Sequence, residues 1–312
     1  MFSVGLGLKN LSRQKRRNII TILVIAFAFS GYLFLESVMN GMEEMSFENI
    51  RNFETGNIQI THPEYWEERD ELSLNNLIEW NGSLEESIRQ TTGVIGISPE
   101  LKFSANLNNG IDEMGVVGIG IIPEDYNQVF LTKNYFIAGD IVALEENKAV
   151  IGKQLAELMD LEMDDYITLL VRTKEDTFNT IDLEVGGIIH TLNPVLNSRI
   201  VLLPLSTVQQ SLNTENSVTM ISLATSAGVK EESINQSLEN SFHEKKLPLR
   251  AYPWRESAAN VIALAAAKKG GISAIMLVVL LIGMVGIINN IILSGIERAS
   301  EIGMMKAMGM QE

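Results

Sequence analysis

Three histidines, one glycine-rich apolar run and several acid pairs are the groups in this chain best equipped for chemistry, and none forms a catalytic pattern. His62, His190 and His243 lie far apart and in no metal-ligand spacing. No G-x-x-x-x-G-K-[ST] occurs, so the chain carries no phosphate-cradling loop of its own. Gly115, Gly118 and Gly120 miss the dinucleotide pattern because Pro123 stands where its third glycine belongs, and they read as close strand packing. There is no G-x-S-x-G elbow. Glu43-Glu44 and Asp164-Asp165 read as solvated turns and helix ends. With no cysteine, disulfides, thiolate metal sites and a Cys nucleophile are excluded. The expectation is a non-catalytic chain without cofactor or metal.

One segment has a defined recognition form. Ser294 to Gly309 reads SGIERASEIGMMKAMG. Ser294-x-x-Glu297 has capping-box spacing, so a helix is expected to begin there. Ile302, Met305 and Met308 recur three apart with Met304 alongside, an apolar face of adaptable side chains. Gly309 is placed to end the helix. Such a helix can rest on a lipid surface or fill a groove on a cytoplasmic partner.

The elements that must position this segment are apolar. Ile19–Leu35 and Ile272–Leu293 carry no charge and are long enough to cross a hydrocarbon core of ~30 Å. The first also has the form of a signal peptide, but Glu36–Asn40 offers no small-x-small cleavage site, so an uncleaved anchor is expected. Gly283 and Gly286 allow close helix contacts, and Asn289 and Asn290 can bond across helices or sit at the interface. Five cations (Lys9, Arg13, Lys15, Arg16, Arg17) and no acid precede the first span, which places the N-terminus in the cytoplasm. Two crossings return residues 294–312 to that side. Between Asn40 and Gly271 there are 17 Lys and Arg against 35 Asp and Glu, a balance of −18. So acidic a body argues against nucleic acid.

The intervening segment has globular texture. Asn57–Thr61 alternates as a half-buried strand. Met114–Ile122 is an apolar run stopped by Pro123. Tyr166–Arg172, Ile181–His190, Arg199–Leu203 and Val218–Leu223 read as strands; Leu84–Gln90, Lys153–Met159 and Glu231–Phe242 read as helices. The fold class is α+β: a membrane protein with two transmembrane helices flanking a two-lobed mixed α/β domain. The expected division is 1–18 as a cytoplasmic N-terminal elbow, 19–39 and 271–293 as spans, 40–270 as the extracytoplasmic domain and 294–312 as a cytoplasmic helix.

The string Glu297-Arg298, Glu301-Ile302-Gly303, Lys306-Ala307 and Gly309 resembles the E-R-x-x-E-I-G-x-x-K/R-A-x-G signature of FtsX-like ABC-transporter permeases. That group includes the lipoprotein-releasing LolC/LolE subunits and the macrolide exporter MacB. LKNLSRQKRRNIITILVIAFAFSG is similar to the family's elbow and first span. VIGISPELKF, VVGIGIIPEDY, AVIGKQLAELMDLEMDDYITL, DLEVGGII, IVLLPLSTVQQSL and YPWRESAANVIAL resemble its periplasmic core domain in order.

The resemblance implies four spans, of which this chain would hold the first two. It implies a place in the bacterial inner membrane and work as a homo- or heterodimer with a second permease subunit. A cytoplasmic ABC ATPase would read Glu297, Arg298, Glu301, Ile302, Gly303, Met305, Lys306 and Gly309 as a coupling helix. Glu301 and Lys306 would make its polar contacts, Ile302 and Met305 would fill the groove, and Gly303 would permit close approach. ATP hydrolysis would belong to that partner, with membrane lipid, a lipoprotein cargo or a periplasmic carrier as further partners. One lobe of the core would comprise about Gly56–Ala105 and Val218–Pro253, with Gly110–Leu212 inserted. The stretch Thr173–Thr180 is short and lacks the proline of the carrier-recruiting hairpin in LolC-type subunits, which favours a LolE-like or less specialised role. A sensory or scaffolding ectodomain without an ATPase is the alternative.

Overall fold

The computed structural model describes residues 15–226 and 228–309. The chain divides into two compact units, Ser46–Ala259 and residues 1–45 with 260–312, the second being helical over its described part. The expected elbow falls largely on residues 1–14, outside the described residues.

Among the described residues of the first unit twelve strands form. They are β1 (Ile58–Thr61), β2 (Ile78–Glu79), β3 (Val94–Asn108), β4 (Glu113–Ile121), β5 (Phe136–Gly139) and β6 (Ala149–Gly152). The rest are β7 (Tyr166–Arg172), β8 (Phe178–Ile189), β9 (Ile200–Pro204), β10 (Ser217–Val218), β11 (Met220–Thr225) and β12 (Arg250–Pro253). The first half is an antiparallel sheet, β12-β1-β11-β3. Alternation along its strands sends Ile58, Ile60, Ile97, Leu101, Ile221 and Leu223 to one face, where they share a core with Leu84, Ile88, Ile234, Leu238 and Phe242. Those partners come from helices Gly82–Arg89 and Glu231–Glu244. The first starts where Asn81 Oδ1 accepts the Leu84 N–H at 3.0 Å, a side-chain cap of an orphan donor.

The second half is a ring. β3 pairs with β4, β4 with β9, β9 with β6, β6 with β8, β8 with β7, and β7 returns to β3. β5 adds to β8 outside the ring. Closing the sheet leaves few open edges to pair with other chains. The 15-residue β3 belongs to both halves: Val94–Glu100 pairs with β11, and Leu101–Asn108 pairs with β4. Pro99 is tolerated because Glu100 C=O accepts from Thr219 N–H, so the even residues face β11. The missing donor of Pro99 then points to the other edge, which β4 joins only from Leu101.

Two of the three glycines read as strand packing are so used. A Cβ on Gly118 would overlap the ring of Phe103, its register partner in β3. One on Gly120 would come 3.0 Å from Val208 Cβ. Gly115 is different, since nothing but Asn106 lies within 4 Å of it. The expected half-buried alternation of β1 also differs: Ile58, Gln59, Ile60 and Thr61 are all buried.

The helical unit contains most of two long helices, Lys15–Ile50 and Ala259–Ala307. Among the described residues one segment, Ala259–Leu293, is long and apolar enough to cross a membrane. The first helix exposes Ile20, Leu23, Phe27, Phe29 and Phe34. Within this unit Lys269 Nζ reaches Asn40 Oδ1 at 2.8 Å, Glu43 Oε2 at 3.7 Å and Glu36 Oε1 at 4.0 Å. Glu36, Asn40 and Glu43 recur at helical spacing, so one cation ties a single face of the first helix to the second.

Candidate functional site

The segment singled out by its sequence does not start a helix of its own. Ala259–Ala307 is one helix, and Ser294 lies in its interior rather than at an N-cap. The chain from Leu293 into Gly295 and Ile296 has no proline, and one glycine weakens a helix without ending it, so propagation continues where capping alone would allow a start. At 49 residues the helix is about 74 Å long at 1.5 Å per residue. Glu297, Arg298, Glu301, Ile302, Gly303, Met305 and Lys306 all fall on it; the side chains of the six non-glycine residues lie outside the described ones. A Cβ at Gly303 would meet nothing within 4 Å, and Met304 and Met308 are exposed. The helix stops at Ala307, and Gly309 takes φ +91°, a conformation suited to glycine at a helix end.

One cavity of the globular unit, about 440 Å³, is an open groove. Residues 71–75 form one wall, Phe103–Asn106 of β3 the floor, and Leu170–Lys174 with Asp176 and Phe178 the other wall. The turn joining β7 to β8 is locked: Thr173 N–H donates to Thr177 C=O at 2.8 Å, and Arg172 Nε lies 3.1 Å from Asp176 Oδ1. Asn213 Nδ2 donates to Glu175 Oε2 at 3.0 Å and holds that carboxylate below its ordinary range. Phe178 is 70% exposed, with Arg172 Cζ 5.6 Å from its ring centroid. Groove and rim can hold a partner by contact.

The polar face of the β12-β1-β11-β3 sheet is buried. Gln59, Thr61, Ser98, Glu100 and Ser222 occupy it, and Glu100 is 1% exposed. Glu100 Oε2 lies 3.3 Å from Lys102 Nζ, while Glu100 Oε1, Ser98 Oγ and Ser222 Oγ have no hydrogen-bond partner. Thr219 Oγ1 donates to Glu100 C=O at 2.9 Å and accepts from Lys102 N–H at 3.0 Å. Burial pushes the Tyr65 phenol up to about 12, tempered by neighbouring Thr219. Burial, then the charge of Glu100, pushes the Tyr126 phenol well above its ordinary range. Both phenols therefore stay protonated, and neither is poised as an acid or base near neutrality. Among the described residues no group of three His, Asp or Glu could hold a metal ion.

Comparison with known families assigns the domain. Residues 19–241 match the MacB-like periplasmic core domain. The chain belongs to that family. The periplasmic region of MacB from Actinobacillus actinomycetemcomitans is similar at 15% identity, with 69% of this chain and 96% of that one covered and a TM-score of 0.47. The extracellular domain of the noncanonic ABC-type transporter YknZ from Gram-positive bacteria is 11% identical, covering 63% and 100% with a TM-score of 0.43. A domain of a putative permease protein from Porphyromonas gingivalis is 16% identical, covering 53% and 79% with a TM-score of 0.39. No curated protein compared with the chain matches it.

The MacB-like domain is thus a mixed α/β, extracytoplasmic-type ectodomain of the kind carried by ABC-transporter permeases. What its sequence did not bring forward is the place where the chain enters and leaves it. Trp254, directly after β12, is 2% exposed and lies 5.4 Å from the Phe47 ring, with Arg51 Cζ at 5.3 Å and Arg255 Cζ at 4.8 Å from its centroid. Only an isolated tryptophan after a proline signalled it, and its partner Phe47 is distant in sequence.

Proposed function

We propose that this chain is the permease subunit of an ATP-driven ABC transporter of the lipoprotein-releasing or MacB type, carrying the motion of an ATPase to a periplasmic domain. One observation carries the reading. A single helix, Ala259–Ala307, runs from just beyond the last strand of a MacB-like domain, through a membrane-length apolar stretch, into the E-R-x-x-E-I-G-x-x-K-A-x-G segment. A continuous helix transmits displacement along its axis because its backbone hydrogen bonds resist local bending. Ile19–Leu35 is then the first span and Ile272–Leu293 the second, in a multi-pass inner-membrane protein. The subunit pairs with a second permease, and hydrolysis takes place in the partner ATPase. The tight Thr173–Thr177 turn favours a LolE-like or less specialised role over direct carrier capture.

Co-purification from membranes tests the reading. A P-loop ATPase should be retained by the chain and lost on deletion of residues 294–312. Gly303→Arg puts a long cation where the Cβ position is open, so it should leave membrane insertion intact while abolishing stimulated ATP hydrolysis. Unaltered hydrolysis in that variant would refute the coupling role. Failure of the chain to retain any ATPase would favour a sensory or scaffolding ectodomain.

A further inference from the structure

The residues around Trp254 join parts of the domain that are remote in sequence. Trp254 N–H donates to Asn57 C=O at 2.9 Å. Asn57 in turn holds β11 twice, its N–H to Leu223 C=O at 2.8 Å and its Oδ1 accepting from Thr225 N–H at 3.1 Å. Its Nδ2 donates to Glu231 Oε1 at 3.1 Å, at the start of helix Glu231–Glu244. Between Phe47 and Asn57 the helix widens into a π-turn, Arg51–Thr55, and ends at Gly56 with φ +65°. Such widened turns recur at functional positions. From this turn Phe53 meets Tyr135 edge-on at 5.0 Å, and Asn52 C=O accepts from Leu131 N–H at 3.1 Å. The incoming segment therefore grips the ring half through Phe53 and the sheet half through Asn57. Trp254 closes it against the outgoing segment.

Resting on the permease reading above, we infer that Trp254 is the positioning residue through which displacement of the long helix reaches both halves of the ectodomain. Ala258 N–H bonds Trp254 C=O at 2.8 Å, immediately before that helix begins at Ala259. A pull on the helix is thus delivered first to the main chain of Trp254, which the buried indole anchors. A buried aromatic with two guanidinium groups near its ring resists separation more than a bare backbone connection does, because dispersion and cation–π attraction act together. From Trp254 the load divides, through its backbone N–H to Asn57 and on to β11 and helix Glu231–Glu244, and through the indole to Phe47 and Arg51, next to the turn whose Phe53 meets Tyr135.

Two measurements on the whole chain separate this inference from the reading it rests on. In detergent without nucleotide, hydrogen exchange of Trp254→Ala should accelerate at least about tenfold over residues 47–57 and 250–258, with β8 unchanged, and Trp254→Phe should stay close to the parent. Unchanged exchange in Trp254→Ala, or equal acceleration in β8, would overturn the role of the indole whether or not an ATPase is involved. The chain has no cysteine, so Ile111→Cys, on an exposed site beside the β3–β4 turn, gives a single labelling position. In membranes with the co-purifying ATPase, ATP should change the spectrum of a spin label there. Trp254→Ala should cut that response at least about threefold while ATP hydrolysis continues, and Trp254→Phe should restore it. A full response in Trp254→Ala would overturn the inference. No response in the parent chain would overturn the permease reading, leaving the exchange experiment to decide on Trp254.

Discussion

Gly118→Ala adds one methyl group at the most crowded glycine of the ring half that faces a side chain. The new Cβ would lie 2.6 Å from Phe103 Cε1 and Cε2 and closer still to Cζ. Carbon atoms rest about 3.5–4.0 Å apart, so ring and strand must separate by about 1 Å. Phe103 is 1% exposed and packed in the main core, which leaves it little room to yield. Overpacking of this kind costs about 1–3 kcal/mol, and alanine returns about 0.5–1 kcal/mol of chain entropy relative to glycine in a strand. Contacts of 2.6 Å and below put the cost in the upper part of that range, about 2–3 kcal/mol, so the expected net loss is about 1–2 kcal/mol. That is a fall of about 2–8 °C in midpoint for a unit of this size. All three tryptophans (Trp66, Trp80, Trp254) lie in Ser46–Ala259, so indole fluorescence of the detergent-purified chain during urea or thermal unfolding reports this unit. In a Phe103→Leu background the same alanine should cost at least about 0.5 kcal/mol less, since the rigid ring is gone. An unchanged midpoint for Gly118→Ala, or an equal cost in both backgrounds, would refute the argument.

Ser98→Ala and Ser222→Ala, alone or together, should leave the stability read from urea unfolding unchanged or raise it by about 1 kcal/mol, because each removes a buried hydroxyl without a partner. A loss beyond about 1 kcal/mol would mean those hydroxyls are bonded. Alkaline pH should loosen the ectodomain through its phenols. A phenol is uncharged when protonated, and Tyr65 in the fold is raised from 10.0 to about 12, so its contribution is intact below pH 10 and lost as pH climbs toward 12. Tyr126 acts in the same direction. Tyr65→Phe should therefore lose at least about 1 kcal/mol less stability than the parent between pH 9 and 11, read from urea midpoints; parallel pH profiles would rule this out.

Much of the local structure was legible from spacing alone. Leu84–Gln90 reads as a helix from its spacing, and the structure has one at Gly82–Arg89 with Leu84 and Ile88 on the buried face. Alternation carried Tyr166–Arg172, and Pro123 ended the run that became β4. These depend on neighbours within a few residues, where side-chain periodicity and backbone chemistry act directly. The signature at Glu297–Gly309 was also a local pattern. Its helix start was misjudged at Ser294 because capping chemistry says where a helix can begin, not whether one already runs through.

Tertiary structure alone decided three things. It closed β7 back onto β3, a pairing between Leu169 and Leu107 that no sequence neighbour specifies. It buried Gln59, Thr61, Ser98, Glu100 and Ser222, whose strand pattern reads as a wet face, once Tyr65 and Tyr126 were brought over it. And it placed Trp254 against Phe47 and beside Asn57, making one junction of the incoming and outgoing chain. In each case the deciding contact joins residues far apart along the chain. Its energy depends on burial by a third element, which local periodicity cannot encode.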